Sequence, residues 1–130
     1  MRMAYPPTTI RRRIDDLLAR FYDRYQDADF QVALEDLARW YHVKIPTIKW
    51  FEYIDGGTTA GRAFEDGPIW LQHPENWKRS KSKMQGKRKW IATVYHEFAH
   101  FMMGSEAEKK ADTFARRFVA GLRTAEPKPP

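Results

Sequence analysis

The 130-residue chain contains no cysteine, which excludes disulfide bonds and thiolate metal ligands. It has no apolar run near the roughly 18 residues that a membrane-spanning helix requires. Arg2, Pro6 and Pro7 near the N-terminus are not followed by the hydrophobic segment of a signal peptide. These absences predict a cytoplasmic protein without a membrane partner, in which any metal ion is bound by nitrogen and oxygen atoms.

Acidic residues are missing from residues 78–89, although the net charge of the whole chain is only +6. Seven basic residues occupy this segment: Lys78, Arg79, Lys81, Lys83, Lys87, Arg88 and Lys89. Such a run is most often a solvated, mobile loop. The alternative is a patch for an anionic partner, either a nucleic acid or an acidic substrate.

Residues 96–100 read His-Glu-Phe-Ala-His, an H-E-x-x-H motif that a chain of this length could also contain by chance. On a helix, His96 and His100 lie one turn apart on the same face, so both imidazoles can bind a single ion. Glu97 lies about 100° further round the helix, where its carboxylate can act on water without binding the metal. The apolar stripe of this predicted helix, residues 87–103, lies opposite the two histidines. The motif therefore predicts a catalytic base, Glu97, beside two metal ligands.

A second helix is predicted to start at Ser105, because Gly104 is suited to ending the first helix and residues 105–108 have the S-x-x-E form of a capping box. Glu108 and Asp112 fall on the apolar stripe of this helix, where a buried carboxylate needs a positive partner. The two helices would form a hairpin that brings Glu108 to the histidines as a third ligand. Asp112 would then accept the N–H of a liganding histidine. The alternatives are a Glu108 that serves only the capping box, and an Asp112 that is solvated or paired with arginine.

The two segments together resemble the ImmA/IrrE family of metallopeptidases, whose pattern is H-E-x-x-H followed after a short spacer by E-x-x-A-N/D-x-F-A. Here the second part reads Glu-Lys-Lys-Ala-Asp-Thr-Phe-Ala over residues 108–115, and a weaker likeness extends upstream to about Asp29. The resemblance implies one Zn²⁺ per chain bound by His96, His100 and Glu108, with Glu97 activating water. The spacing from Glu108 to Asp112 is similar to that of the thermolysin-like zincins. The chain departs from the family pattern at Ala99, where a glycine is usual, and over residues 118–121, where a leucine-rich end with proline is usual.

The predicted fold is α+β: a small zincin-like metallopeptidase domain with N-terminal helices, a small antiparallel sheet, the H-E-x-x-H helix and a C-terminal ligand helix. Helices are expected over residues 10–25, opened by Thr8 or Thr9 as cap, and 30–41. Strands are expected over 44–53, with Pro46 delaying its start, 61–65 and 68–73, the last two joined by a hairpin at 66–67. Residues 1–123 would form one domain, a helical extension (1–28) on a core (29–123), with a disordered tail at 124–130.

The predicted function is that of a zinc metalloendopeptidase acting on a protein or peptide substrate, which could pair with the strand at 69–72. ImmA/IrrE members typically cleave DNA-binding repressors in phage, mobile-element or stress-response switches, which makes a repressor the implied substrate. His73 and Tyr95 are candidate transition-state donors, although His73 also suits a strand-end surface position and Tyr95 lies toward the core. Two alternatives stay open: a basic nucleic-acid-binding protein with a structural metal site, and a SprT-like protease acting on DNA-associated proteins. Proteases of the SprT type take a histidine as third ligand, and no histidine follows His100.

Overall fold

The computed structural model describes residues 5–51, 61–63, 67–79, 86–104 and 107–120. Within them the chain forms α1 (Thr8–Arg24), α2 (Asp27–Tyr41), β1 (Ile48–Phe51), β2 (Gly61–Ala63), β3 (Ile69–Gln72), α3 (Pro74–Lys78), α4 (Lys87–Met103) and α5 (Glu108–Val119). The expected α+β class is therefore confirmed at the level of helices with a small sheet. The predicted tail at 124–130 and part of the predicted hairpin at 66–67 lie outside the described residues.

The first two helices pack against each other because each carries apolar residues at helical spacing. On α1, Ile14, Leu18 and Phe21 are fully buried. Both helices end at a residue in the left-handed conformation, Tyr25 with φ 60° and His42 with φ 55°. The predicted threonine cap of α1 is wrong: the N-cap is Pro7, and no side chain caps the helix.

The sheet is mixed, and its strand order is β1-β3-β2. β3 pairs with β1 in parallel, Ile48 opposite Ile69, and with β2 in antiparallel, Ala63 opposite Ile69. The prediction of an antiparallel sheet is therefore wrong for the β1–β3 pair. The sequence pattern of a strand indicates which residues are extended, but whether two strands run parallel or antiparallel depends on the path of the chain between them. β1 starts two residues after Pro46, as expected from the missing N–H of proline.

Within the described residues, one hydrophobic core joins the sheet to all five helices, with Trp77 as the contribution of α3. It also contains residues of α1, α2, β2, β3, α4 and α5, with large aromatic side chains such as Phe21, Trp90, Phe98 and Phe118 no more than 1% exposed. The helix expected as an N-terminal extension, α1, thus contributes directly to the same core as the metal motif. Among the described helices, none combines the length and the apolarity that crossing a membrane requires.

Candidate metal centre

The helix that carries the H-E-x-x-H motif spans Lys87–Met103, the predicted bounds, and is buried over most of its circumference. The predicted separation of an apolar face from a histidine face is only partly correct. His100 and Glu97 are each just 5% exposed, whereas the His96 side chain is 20% exposed. α5 packs along α4, and its first residue, Glu108, lies against both histidines.

The turn between the two helices differs from the predicted capping box. α4 ends at Gly104, and α5 begins at Glu108 with Ala107 as a cap that offers no side-chain hydrogen bond. The predicted helix start at Ser105 is therefore wrong, and Ser105 and Glu106 lie outside the described residues. Glu108 occupies the first position of α5, not the third position that the acid of a capping box takes. Its side chain is consequently available to the histidines of α4.

His96, His100 and Glu108 converge on one point. The two Nε2 atoms lie 3.1 Å apart. Glu108 Oε1 lies 3.0 Å from Nε2 of His96, and Glu108 Oε2 lies 2.9 Å from Nε2 of His100. These residues form the His/Asp/Glu group that could hold a metal ion within the described part of the chain.

Each imidazole is also contacted at its second nitrogen. His96 Nδ1 lies 2.9 Å from Asp112 Oδ1, the contact predicted for this aspartate. His100 Nδ1 lies 2.9 Å from the carbonyl oxygen of Gly104. Since a carboxylate and a carbonyl only accept hydrogen bonds, each Nδ1 must be the donor. In the neutral rings, both Nε2 atoms then present lone pairs to the centre.

The donor set fits a zinc ion. Two imidazole lone pairs and a carboxylate meet at about 3 Å, an arrangement that is repulsive unless a cation or a proton lies among them. Ligands placed roughly 2.0 to 2.1 Å from a tetrahedral ion are about 3.3 Å apart, which needs only a small outward adjustment here. Two nitrogens and one oxygen form a common protein ligand set for catalytic zinc.

The two carboxylates are not buried, contrary to the sequence argument. The side chains of Glu108 and Asp112 are 65% and 63% exposed. The buried stripe of α5 consists of Ala111, Phe114, Ala115 and Phe118, and the acids lie at its margin. Because both side chains are largely exposed, contact with water lowers the cost of their charge, and the expected contacts form without the predicted burial.

Glu97 follows the first ligand on α4 and is buried. Its position one residue after His96 turns it about 100° from that ligand around the helix axis. This placement suits a base that acts beside the metal ligands.

The structure gives His73 a role in the scaffold. Its Nδ1 atom accepts the backbone N–H of Glu75 at 3.1 Å and so caps α3. Its ring packs against Phe21 and Trp50. Burial lowers the pKa of His73, which keeps the ring neutral and able to accept. These contacts lie on the side of the core where Trp90 packs, not at the ligand cluster.

Tyr95 likewise serves the scaffold. Its side chain is fully buried, and its hydroxyl donates to Asp15 Oδ1 at 3.0 Å. Asp15 also accepts two hydrogen bonds from Arg88, at 2.8 and 3.1 Å. Burial raises the pKa of Tyr95 well above its ordinary value, and the neighbouring Asp15 carboxylate raises it further. The Tyr95 hydroxyl thus binds Asp15 of α1 and is not directed to the cluster of His96, His100 and Glu108, and the sequence pattern gave no indication of this buried network.

Most described members of the basic run contact groups elsewhere in the fold. Lys87 pairs with Asp23 at 2.9 Å, Arg88 with Asp15 at 2.8 Å and Arg79 with Glu75 at 3.6 Å. Lys78 donates to the hydroxyl of Tyr25 and lies over its ring. Lys89 is exposed, while Lys81 and Lys83 lie outside the described residues. Two of these partners, Asp15 and Asp23, lie on α1, so acidic residues of that helix partly neutralise the basic segment.

Comparison with models of known protein families, with curated proteins and with solved structures found no match for this chain.

Proposed function

We propose that this protein is a zinc-dependent endopeptidase, with His96, His100 and Glu108 as metal ligands and Glu97 as general base. The observation that carries the proposal is the convergence of two Nε2 atoms and the Glu108 carboxylate at 2.9 to 3.1 Å, with a buried glutamate next to the first ligand. Three protein ligands leave a fourth position, as in catalytic zinc sites. A purely structural site would not need a glutamate at position 97.

When bound, zinc supplies a Lewis acid that polarises a peptide carbonyl and makes water more acidic. Glu97 accepts a proton from the water molecule that attacks the carbonyl carbon. The same carboxyl group then gives this proton to the nitrogen of the departing amine as the C–N bond breaks. The low exposure of Glu97 assists both steps, because little bulk water competes for the proton.

Asp112 orients the first ligand. Its contact with Nδ1 of His96 selects the tautomer in which Nε2 is free to bind the ion. The structure supports this role although the aspartate is exposed, because a charged acceptor at 2.9 Å forms a strong hydrogen bond with an imidazole N–H.

The strand predicted to pair with the substrate is not free to do so. β3, residues 69–72, is the central strand and pairs with a neighbour on each side, so it has no open edge for a peptide. Among the described strands, β1 and β2 form the sheet edges, and β2 packs against α4. We therefore propose that an extended substrate adds to the outer edge of β2.

The likeness to ImmA/IrrE peptidases directs the choice of substrate. A DNA-binding repressor of a phage or mobile element is the substrate class that this resemblance suggests. A SprT-like peptidase is less compatible with the site, because the third group at the cluster is the carboxylate of Glu108. The nucleic-acid alternative is weakened by the partners of Lys78, Arg79, Lys87 and Arg88, and titration of DNA at two salt concentrations tests it directly.

The function is tested with Glu97→Gln. We expect the variant to bind one zinc per chain, as the unmodified protein does, and to lose peptide-bond hydrolysis by about a thousandfold or more. New peptide ends in a protein-derived peptide library, detected by mass spectrometry, give the readout. Glu75→Gln, which changes an exposed glutamate on α3, is the matched control and should cleave normally. Equal cleavage by the Glu97 variant would disprove the base assignment, and absence of zinc from the unmodified protein would disprove the metal site.

A further inference from the structure

We propose that Gly104 is a positioning residue of the metal centre: its carbonyl group fixes the tautomer of His100, and only glycine can hold that carbonyl in place. The inference rests on the proposed zinc site and adds a backbone group to it. Gly104 lies beyond the H-E-x-x-H motif, and its role in ending α4 does not by itself require a contact with a ligand.

The carbonyl oxygen of Gly104 accepts two hydrogen bonds. One comes from Nδ1 of His100 at 2.9 Å, and the other from the backbone N–H of Ala107 at 3.3 Å. The N–H of Gly104 in turn donates to the carbonyl of His100 at 2.7 Å. The residue is buried, so water does not compete effectively for these groups. A proton on Nδ1 leaves Nε2 of His100 with the lone pair that faces Glu108.

The backbone conformation of Gly104 requires glycine. Its φ of 100° and ψ of 156° lie in a region that is accessible essentially to glycine alone. A side chain at this position would force the peptide unit to rotate, and the carbonyl would move away from the His100 ring. The same rotation would change the direction in which the chain leaves α4 toward Glu108.

The two histidines are therefore held in different ways. His96 is held by the side chain of Asp112, which is 63% exposed and can change rotamer. His100 is held by a buried main-chain carbonyl within the turn that also leads to the third ligand. Loss of the turn conformation would disturb His100 and Glu108 together, whereas loss of Asp112 would disturb His96 alone.

The decisive experiment compares Gly104→Ala with Gly86→Ala in zinc titrations against a fluorescent chelator. Gly86 lies at the other end of the same helix, has an ordinary φ of −86°, and has open space where the methyl group of an alanine would lie. We expect zinc affinity to fall by about 10- to 100-fold in Gly104→Ala, as for other lost contacts to a ligand's outer nitrogen, and to stay the same in Gly86→Ala. Unchanged affinity in a folded Gly104→Ala would overturn the proposal.

A second measurement uses the unmodified protein and does not depend on the stability of the variant. Long-range ¹H–¹⁵N NMR spectra at about pH 8, above the ordinary histidine pKa of about 6.5, identify which ring nitrogen of His100 carries the proton. A proton on Nδ1, protected from exchange with solvent, supports the proposal, and an unprotonated Nδ1 overturns it. Recorded with and without zinc, the spectra separate the two hypotheses: a protein that binds no zinc refutes the proposed function, while the Nδ1 proton still reports on Gly104.

Discussion

At the scale of single residues, the four histidines of this chain occupy three kinds of position: two lie at the candidate metal centre, one ends a helix and one caps the start of a helix. His96 and His100 meet through their Nε2 atoms, and His42 ends α2 in the left-handed conformation. His73 uses Nδ1 as an acceptor for the N–H of Glu75. An imidazolium ion cannot accept this bond, since both of its nitrogens carry protons. The cap of α3 is therefore compatible only with the neutral ring.

The cap of α3 predicts a pH-dependent stability. Burial lowers the pKa of His73 in the fold below the value of about 6.5 in the unfolded chain. The unfolded chain therefore binds this proton first as the pH falls below about 6.5, and the free energy of unfolding decreases until the pH passes the folded pKa. We expect His73→Asn, which retains a side-chain acceptor for the cap, to lose less stability than the unmodified protein between about pH 7.5 and pH 5. Urea denaturation at each pH measures the difference, and parallel profiles would contradict the prediction.

At the scale of elements, α1 forms side-chain hydrogen bonds with both α4 and α5. Asp15 is 5% exposed and accepts hydrogen bonds from Arg88 and Tyr95 of α4. Arg11 donates to three carbonyl groups at the end of α5, those of Arg117, Phe118 and Ala120, at 3.2 to 3.3 Å. The last carbonyls of any helix lack the donors that a further turn would supply, so the arginine provides donors at a helix end. Side chains of α1 thus contact both helices that carry the candidate metal ligands.

The two neighbouring ion pairs between α1 and α4 are expected to differ greatly in their contribution to the free energy of unfolding. Arg88→Met leaves the buried carboxylate of Asp15 without its cation, and we expect the free energy of unfolding to fall by about 3 kcal/mol. This is the lower end of the usual range, because the Arg88 side chain is 40% exposed. Lys87→Met removes an exposed pair with Asp23 between the same two helices and should cost less than about 1 kcal/mol.

Urea unfolding of the two variants, with zinc binding as a second readout, tests this difference. Equal decreases in the free energy of unfolding in both variants would mean that the Asp15 network does not stabilise the packing of α4. A loss of zinc affinity confined to Arg88→Met would show in addition that the orientation of α4 affects the geometry of the ligands.

At the scale of the whole molecule, one core within the described residues joins the N-terminal helices, the sheet, α4 and α5. If zinc binds His96, His100 and Glu108 as proposed, it would link α4 to α5 in the folded chain and would bind the dispersed ligands of the unfolded chain much more weakly. Free zinc at about 100 times its Kd should therefore raise the free energy of unfolding by about 2.7 kcal/mol. Thermal unfolding with zinc and with a chelator measures this, and a His96→Ala and His100→Ala double variant should show no dependence on zinc. A zinc-dependent shift that persisted in the double variant would place the ion elsewhere.

Much of the site could be predicted from sequence because its spacing is local. The helical repeat places His96 beside His100, and the short connection limits how far Glu108 can lie from them. The bounds of α4 and the contact between Asp112 and His96 agree with that reasoning. The start of α5 does not, because the capping-box pattern fits residues that precede the observed helix.

Sequence by itself determined the types of the candidate ligands, the helices that carry them and the exclusion of thiolate chemistry, since these follow from residue identity and from short-range periodicity. Tertiary structure decided the direction of β1, the partners of Tyr95 and the neutralisation of Lys87 and Arg88 by Asp23 and Asp15. It also decided that Glu108 and Asp112 stay exposed while His100 and Glu97 are buried. The strand direction, the Tyr95 partners and the ion pairs depend on segments distant in the chain, and pairing, burial and charge compensation between packed elements leave no periodic signal in either element alone.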